Sequence, residues 1–310
     1  MPSSGFTVIL VNFHSLNALR SCVGPLRRFF AGRDVEYVLV DNSPGDGSAE
    51  FYEASVPNGK RVVPGKNVGF AAAVNLGFAA SSNQLVLLVN PDIESIQGTP
   101  ESVARIFEED DKVAAVGVRF ENPDGSLQYS CKRTPTPLRI AYENLAMSGR
   151  FPHVGRFREY RMLDDDYSAV MIVHSVCGGF LFVDRDAFER LGPFDERFFV
   201  YYEEVDWMER ARAAGYATVF TPEVVVTHRA GTSSEGAEED VPLLLIESQQ
   251  AYVRKHFGLI AQMGLGAMLV GQFLWRALRA TLPRTGSSTH RHADINAIRV
   301  LMGATRKRPE

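Results

Sequence analysis

Cysteine is scarce. Cys22, Cys131 and Cys177 are the only three in 310 residues, they share no close metal-ligand spacing, and an odd number cannot all pair within one chain. A disulfide-stapled secreted scaffold is therefore disfavoured. Zinc spacings such as H-E-x-x-H are absent, and the seven histidines are scattered. No GxxxxGK[ST] run occurs, which argues against a P-loop nucleotide hydrolase. No G-x-G-x-x-G follows the first apolar segment either; Val11-Asn12-Phe13-His14-Ser15 stands there, so a dinucleotide dehydrogenase is disfavoured. Neither charge sign dominates: 33 Lys and Arg against 37 Asp and Glu give a net charge of -4, unlike a general nucleic-acid binder, and no nucleic-acid partner is expected. The opening MPSSG has no basic leader followed by an apolar core, so no signal peptide is expected. Internal repeats and low-complexity tracts are missing.

What is present is core-forming sequence, 45% hydrophobic and 23% charged. Phe6–Asn12 is a nearly continuous apolar run, as expected of a strand covered on both faces. Ser15–Phe30 has helical periodicity. Apolar runs at Tyr37–Val40, Arg61–Val63, Leu85–Val89 and Val113–Val118 alternate with helical stretches at 70–80 and 100–110. This βα alternation over the first 120 residues predicts an α/β fold with a mostly parallel central sheet flanked by helices. Asn122-Pro123-Asp124-Gly125-Ser126 predicts a turn or hairpin. The irregular stretch from Cys131 to Asp166 reads as an excursion that carries acceptor contacts. Strands are expected over 169–176 and 180–183, and helices over 184–191, capped by Asp184, 203–214 and 241–257.

In open parallel sheets ligands bind at the carboxyl ends of the strands. Asn12, Asp41 and Asp92 all end apolar runs. Gly178 and Gly179 follow a later one, where backbone can approach a ligand closely. His228 follows another. Asp92 and His228 could share a hard divalent ion, Mg²⁺ or Mn²⁺, that also takes diphosphate oxygens.

Four motifs in order resemble the family 2 inverting glycosyltransferases of GT-A type, within them the rhamnosyltransferase-like branch, over roughly residues 6–257. VLVDNSPGDGS (Val38–Ser48) resembles the nucleotide-contact loop, with Asp41 in the base-binding acidic position. NVGFAAAVNLG resembles the sugar-nucleotide loop and its helix, which implicates Asn67, Gly69 and Asn75. VLLVNPDI resembles the strand carrying the metal motif; Asn90-Pro91-Asp92 stands where many relatives have Asp-x-Asp. CGGFLFVDRDAFERLGPFDERFFVYYEEVDWMERARAAGY resembles the acceptor-side loop and acidic catalytic motif, with Glu203-Glu204-Val205-Asp206 where many relatives have Glu-Asp-x-Asp. His228, in VVVTHRAG, matches a metal or diphosphate contact.

The resemblance implies an inverting transferase. A nucleotide-diphospho-sugar, expected to be dTDP-L-rhamnose with UDP-sugars as the alternative, donates to a hydroxyl of a cell-envelope or lipid-linked glycan. Glu204 aligns with the general base; Glu203 or Asp206 would carry that role if Glu204 does not. A non-catalytic glycan-binding protein on the same fold is the remaining alternative. The expected organisation is a catalytic domain over 1–257, with a donor half to about 120 and an acceptor half over 121–257. Residues 258–310 are expected to supply an apolar helix and a basic tail.

Residues 259–275 are uncharged, but seventeen residues interrupted by Gly264, Gly266 and Gly271 lie at the lower edge for a membrane span. Residues 276–310 hold eight Lys and Arg against two Asp and Glu. This predicts a helix that packs on the catalytic domain, on a second copy of the chain, or on an anionic leaflet. The expected location is cytoplasmic, at the inner face of the plasma membrane.

Overall fold

A computed structural model of the chain describes residues 5–229 and 241–281. Its strands are β1 (Phe6–Asn12), β2 (Val35–Asp41), β3 (Lys60–Val62), β4 (Leu85–Val89), β5 (Ile93–Gln97), β6 (Val113–Glu121), β7 (Leu127–Gln128), β8 (Cys131–Lys132), β9 (Met171–Val173), β10 (Ser175–Val176), β11 (Phe180–Asp184) and β12 (Ala217–His228). The main sheet runs in the order β3-β2-β1-β4-β11-β6-β12-β5; β7 and β9 pair with β6 and β12, and β8 with β10 forms a separate ribbon.

Every residue of β1 is buried. Val8 and Leu10 enter a core on one face; Ile9 and Val11 enter a second core on the other. That two-sided burial accounts for the unbroken apolar run, because period-2 side chains meet protein whichever way they point. Helix Leu16–Phe29 closes the first face with Leu19, Cys22, Val23 and Leu26. Helix Phe70–Ala79 closes the second with Ala71, Ala73, Val74 and Phe78. Gly77 allows its close approach to the sheet, since a Cβ there would lie 2.5 Å from Ile9 Cγ2.

The sheet is mixed, and the departure from parallel order falls at its centre. β11 runs antiparallel to both β4 and β6, with Phe180 facing Val89. β5 pairs antiparallel with β12 and brings the chain after Asp92 against His228. The expected strand over 169–176 is two short ones, β9 and β10, that pair with different partners on either side of His174. Asn122–Ser126 forms the β6–β7 hairpin turn as the sequence predicts. Helix Arg185–Leu191 starts where expected, and the Asp184 carboxylate accepts from Ala187 N at 2.8 Å. Helix Ser48–Ser55 lacks a clear apolar period and was not anticipated.

The helical run Val241–Thr281 breaks at Gly258, whose φ of 85° and ψ of 177° are non-helical. The segment beyond the break returns to the protein. Leu265 and Leu269 are buried with Ile140, Phe198, Tyr202, Val205 and Tyr252 in a third core. Asp206, fully buried, fastens this extension. It receives hydrogen bonds from Lys255 Nζ at 2.8 Å, Arg210 Nε at 3.1 Å and, when the imidazole is protonated at Nε2, His256 at 2.8 Å. These partners hold its carboxyl below the ordinary range against the opposing effect of burial. Removing the charge breaks a buried ion-pair cluster and leaves Lys255 with Asp195 alone and Arg210 with backbone carbonyls. Asp206→Asn should therefore lower unfolding stability by about 3–5 kcal/mol, measured by urea denaturation at neutral pH.

Candidate active site

The ends of β1, β2 and β4 and the start of β11 meet on one edge of the sheet. Asn12 is buried; its Nδ2 donates to Asp41 Oδ1 at 3.0 Å and Ser43 Oγ at 3.1 Å, while its Oδ1 accepts from Ser15 Oγ at 2.7 Å. Asp41 is buried too, and its other oxygen receives Arg61 at 3.1 Å. The two residues thus shape the Asn42-Ser43 loop from beneath. That loop lines a cleft of about 950 Å³ together with His14, Lys66, Asn67 and Phe199.

Asn67 Oδ1 accepts from Gly69 N at 3.0 Å, and Asn42 Nδ2 donates to Gly69 O at 3.2 Å. Gly69 has φ 86°, and a Cβ there would lie 2.4 Å from the Phe199 carbonyl. The position admits only glycine without displacement of the FDERFF loop. Asn75 ties helix 70–79 to that same loop: its Nδ2 donates to Phe194 O at 2.9 Å and its Oδ1 accepts from Phe194 N at 3.0 Å. Asn75 positions the wall of the cleft rather than lining it.

At the next strand end, Asn90 N donates to Gly179 O at 2.9 Å, which continues the β4–β11 pairing into the turns. Asp92 follows. Its Oδ1 lies 3.2 Å from His228 Nε2, so residues 136 positions apart converge. Among the described residues no three His, Cys, Asp or Glu side chains gather as a metal cage. The Asp92–His228 pair is instead a partial donor set, one hard oxygen and one imidazole nitrogen, that could hold a divalent ion only with further ligands from outside the chain.

Helix Glu203–Ala213 begins with the acidic motif, after Tyr201 and Tyr202 at φ 69° and 71°. Two successive tyrosines in the left-handed region are strained, and such strain concentrates at functional sites. Here it turns the helix start toward Gly178, where a Cβ would lie 3.3 Å from Glu204 Cγ. Glu203 is 4% exposed, and its Oε2 finds no hydrogen-bond partner among the described residues. Burial, with the Glu204 charge beside it, pushes its carboxyl well above the ordinary range, which favours its neutral form. Glu204 is partly buried as a residue, but its Oε2 is likewise enclosed and without a hydrogen-bond partner among the described residues. Burial raises it as well, but Lys132 and the backbone N–H groups of Glu204, Val205 and Gly178 oppose the rise. A Cβ on the adjacent Gly179 would lie 3.4 Å from Asn90 Nδ2, so the two glycines stand between the acidic motif and the strand end that carries Asp92.

Lys132, on β8, escaped the sequence reading because nothing local marks it. Only the pairing of Lys132 with Ser175, two residues before Cys177, carries it to Glu204. Arg61 and Gln128 were missed for the same reason. Lys66 had a visible signal, its place beside Asn67. Trp207 packs against Phe188 and Phe194 and donates to Gly192 O at 3.1 Å, so it supports the helix from below.

The chain is 30% identical over 233 residues to the N-acetylglucosaminyl-diphospho-decaprenol L-rhamnosyltransferase of Mycobacterium tuberculosis, an alignment covering 68% of this chain and 74% of that protein. It is 23% identical over 212 residues to the low-salt glycan biosynthesis hexosyltransferase Agl10 of Haloferax volcanii, covering 66% and 61%. The fold is that of GT-A-type transferases. The mannosyltransferase PcManGT of Pyrobaculum calidifontis, solved with GDP-Man and Mn²⁺, superposes with a TM-score of 0.54 at 15% identity, covering 97% of this chain and 87% of that one. The family model "Glycosyl transferase family 2" matches residues 7–192. With more than half of its length matched, the chain belongs to glycosyl transferase family 2.

Proposed function

We propose that this protein is an inverting glycosyltransferase that moves L-rhamnose from dTDP-L-rhamnose onto a hydroxyl of a lipid-linked cell-envelope glycan. Residues 1–257 would form its catalytic domain, and the remainder its contact with a surface. The observation that carries the reading is the sorting of the acidic motif. Glu204, the less buried of the two adjacent glutamates, packs on Gly178, while Gly179 packs against Asn90 at the strand end that carries Asp92, and the Lys132 charge opposes the effect of burial on it. The rhamnosyl donor rests on the activity named for the mycobacterial relative.

Glu204 accepts the proton of the acceptor hydroxyl as its oxygen bonds to the anomeric carbon. The bond from that carbon to the diphosphate breaks on the opposite face, and the nucleoside diphosphate leaves, so a single displacement inverts the centre. Glu203 keeps its proton, which leaves one negative charge, not two, at the start of the helix. Lys132 favours the ionised form of Glu204, the form a base requires. Asp92 and His228 would hold a divalent cation, which when bound neutralises charge on the departing diphosphate.

The C-terminal helix supports the expectation of a surface contact. While Leu265 and Leu269 face the core, Leu259, Ile260 and Met263 project outward, Ile260 at 88% and Met263 at 65% exposed. Arg254 and Lys255 flank a neighbouring hollow with Arg197. Among the described residues no helix is long and apolar enough to cross a membrane. An apolar ridge with Arg254 beside it fits the headgroup boundary of an anionic leaflet, while Lys255 and Arg197 are held by Asp195. The basic tail expected to reinforce it, beyond residue 281, lies outside the described residues.

Glu204→Gln should keep donor affinity and lose roughly 10²–10⁴-fold in single-turnover transfer; near-normal transfer would remove Glu204 from the role of base. A panel of nucleotide sugars assayed on the wild type, with NMR of the product anomer, tests donor and inversion together. Because Glu204 must be ionised, kcat should fall as pH drops through its raised pKa. Lys132→Met removes the cation that opposes that rise and should move the acid limb of the kcat–pH profile to higher pH, with Lys132→Arg close to wild type. A profile unmoved in Lys132→Met would exclude the coupling. Ile260→Glu with Met263→Glu leaves the core face intact and should lower partition onto anionic vesicles roughly tenfold or more, since each inserted CH₂ contributes about 0.8 kcal/mol. Unchanged partition with a halved solution mass would identify the ridge as a contact between copies.

A further inference from the structure

The β6–β7 turn carries a chain of side-chain hydrogen bonds that ends on His228, and its direction follows from chemistry alone. The Asp124 carboxylate can only accept, so the Ser126 hydroxyl, 2.6 Å away, donates to it. With its one proton committed, Ser126 Oγ must accept from Asn122, 2.9 Å away, and the Asn122 atom facing it is therefore Nδ2. The other Asn122 amide atom is the oxygen, which accepts from Gln128 Nε2 at 3.0 Å. Gln128 then presents Oε1 to His228 Nδ1, 2.6 Å away. A carbonyl oxygen has no proton to give, so Nδ1 of His228 carries the hydrogen. No amide orientation has to be assumed, because the carboxylate at the far end sets each in turn.

The consequence falls on the other ring nitrogen. In a neutral imidazole with Nδ1–H, Nε2 bears a lone pair. That lone pair faces Asp92 Oδ1 at 3.2 Å, an arrangement that favours a positive charge between two acceptors. Phe120, edge-on to the imidazole with ring centroids 5.4 Å apart, holds the ring plane. We propose that Asp124, Ser126, Asn122 and Gln128 are positioning residues that lock His228 as the Nδ1–H tautomer and so present Nε2 to a divalent cation shared with Asp92. This rests on the reading of Asp92 and His228 as the cation pair. Without the lock, His228 can carry its hydrogen on Nε2 and donate it to Asp92, which would occupy both ligands with each other.

The test reads tautomer and metal separately. In metal-free protein labelled with ¹⁵N-histidine, long-range ¹H–¹⁵N correlations of neutral His228 should show the Nδ1–H pattern in the wild type and in Gln128→Glu, which keeps the acceptor. Gln128→Leu should show Nε2–H; the same spectra report whether the variant is folded. Mn²⁺ titrations followed by electron paramagnetic resonance, with dTDP present, should give affinity roughly 10- to 100-fold weaker in Gln128→Leu, the usual effect of losing an outer partner of a metal ligand, and near wild type in Gln128→Glu. Ser126→Ala, which touches neither ligand, should weaken Mn²⁺ in the same direction. An Nε2–H pattern in the wild type, or wild-type Mn²⁺ affinity in a folded Gln128→Leu, overturns the lock. Absence of Mn²⁺ binding by the wild type, with the Nδ1–H pattern intact, would instead overturn the cation reading on which it rests.

Discussion

The reversal of β11 within an otherwise largely parallel sheet decides where everything else can meet. A strand that enters the sheet at the edge where β1, β2 and β4 finish must begin beside their ends. Phe180 opposite Val89 fixes that register, and the Asn90–Gly179 hydrogen bond extends it into both turns. Gly178 therefore lies between the β4 terminus and the start of the acidic helix, near enough for Glu204 to pack on it. A parallel β11 would start on the opposite edge and leave Glu204 with no route to Asp92. The ribbon of β8 and β10 leads into the same turn, and Lys132 arrives through it.

Within the acidic helix, burial gives three carboxyl groups three different states. Glu203 is enclosed beside another carboxyl and is pushed toward the neutral form, because two adjacent buried charges cannot both be ionised at modest cost. Asp206 is equally enclosed, but three basic side chains converge on it, so it stays charged and becomes a fastening point for the C-terminal helix. Glu204 lies between these extremes, less buried than either, with the Lys132 charge opposing the effect of burial. The split follows from helical geometry. Glu203 and Asp206, three residues apart, share one side of the helix, and Glu204 turns away from it.

Most of the strand and helix order was legible in the sequence because two-sided burial writes long apolar runs and helix faces write a 3.6 period. Phe6–Asn12 and Leu85–Val89 fall where those runs predict. The reversal of β11 was not legible, since an apolar run of five residues has no direction. The site was legible where polar residues end apolar runs, as at Asp41, Asp92 and His228. What such residues do there was less so. Asn12 and Asp41 look like ligand contacts in sequence, yet both are fully enclosed and engaged with each other, Ser43 and Arg61. Lys132 and Gln128 left no trace, because their proximity to Glu204 and His228 depends on pairings between distant strands.

The contrast between Asp41 and Asp92 shows how one pattern serves two ends. Each follows a buried strand, but β2 has β3 beside it, and β3 supplies Arg61. A guanidinium within 3.1 Å satisfies the Asp41 charge inside the protein, so that carboxylate can shape a loop without outside help. β4 has β11 beside it, and the turn into β11 brings two glycines and no cation. Asp92 meets the His228 imidazole instead, with its Oδ1 3.2 Å from Nε2. One strand-end carboxylate thus faces a guanidinium from the next strand, and the other an imidazole that β12 brings from 136 residues away.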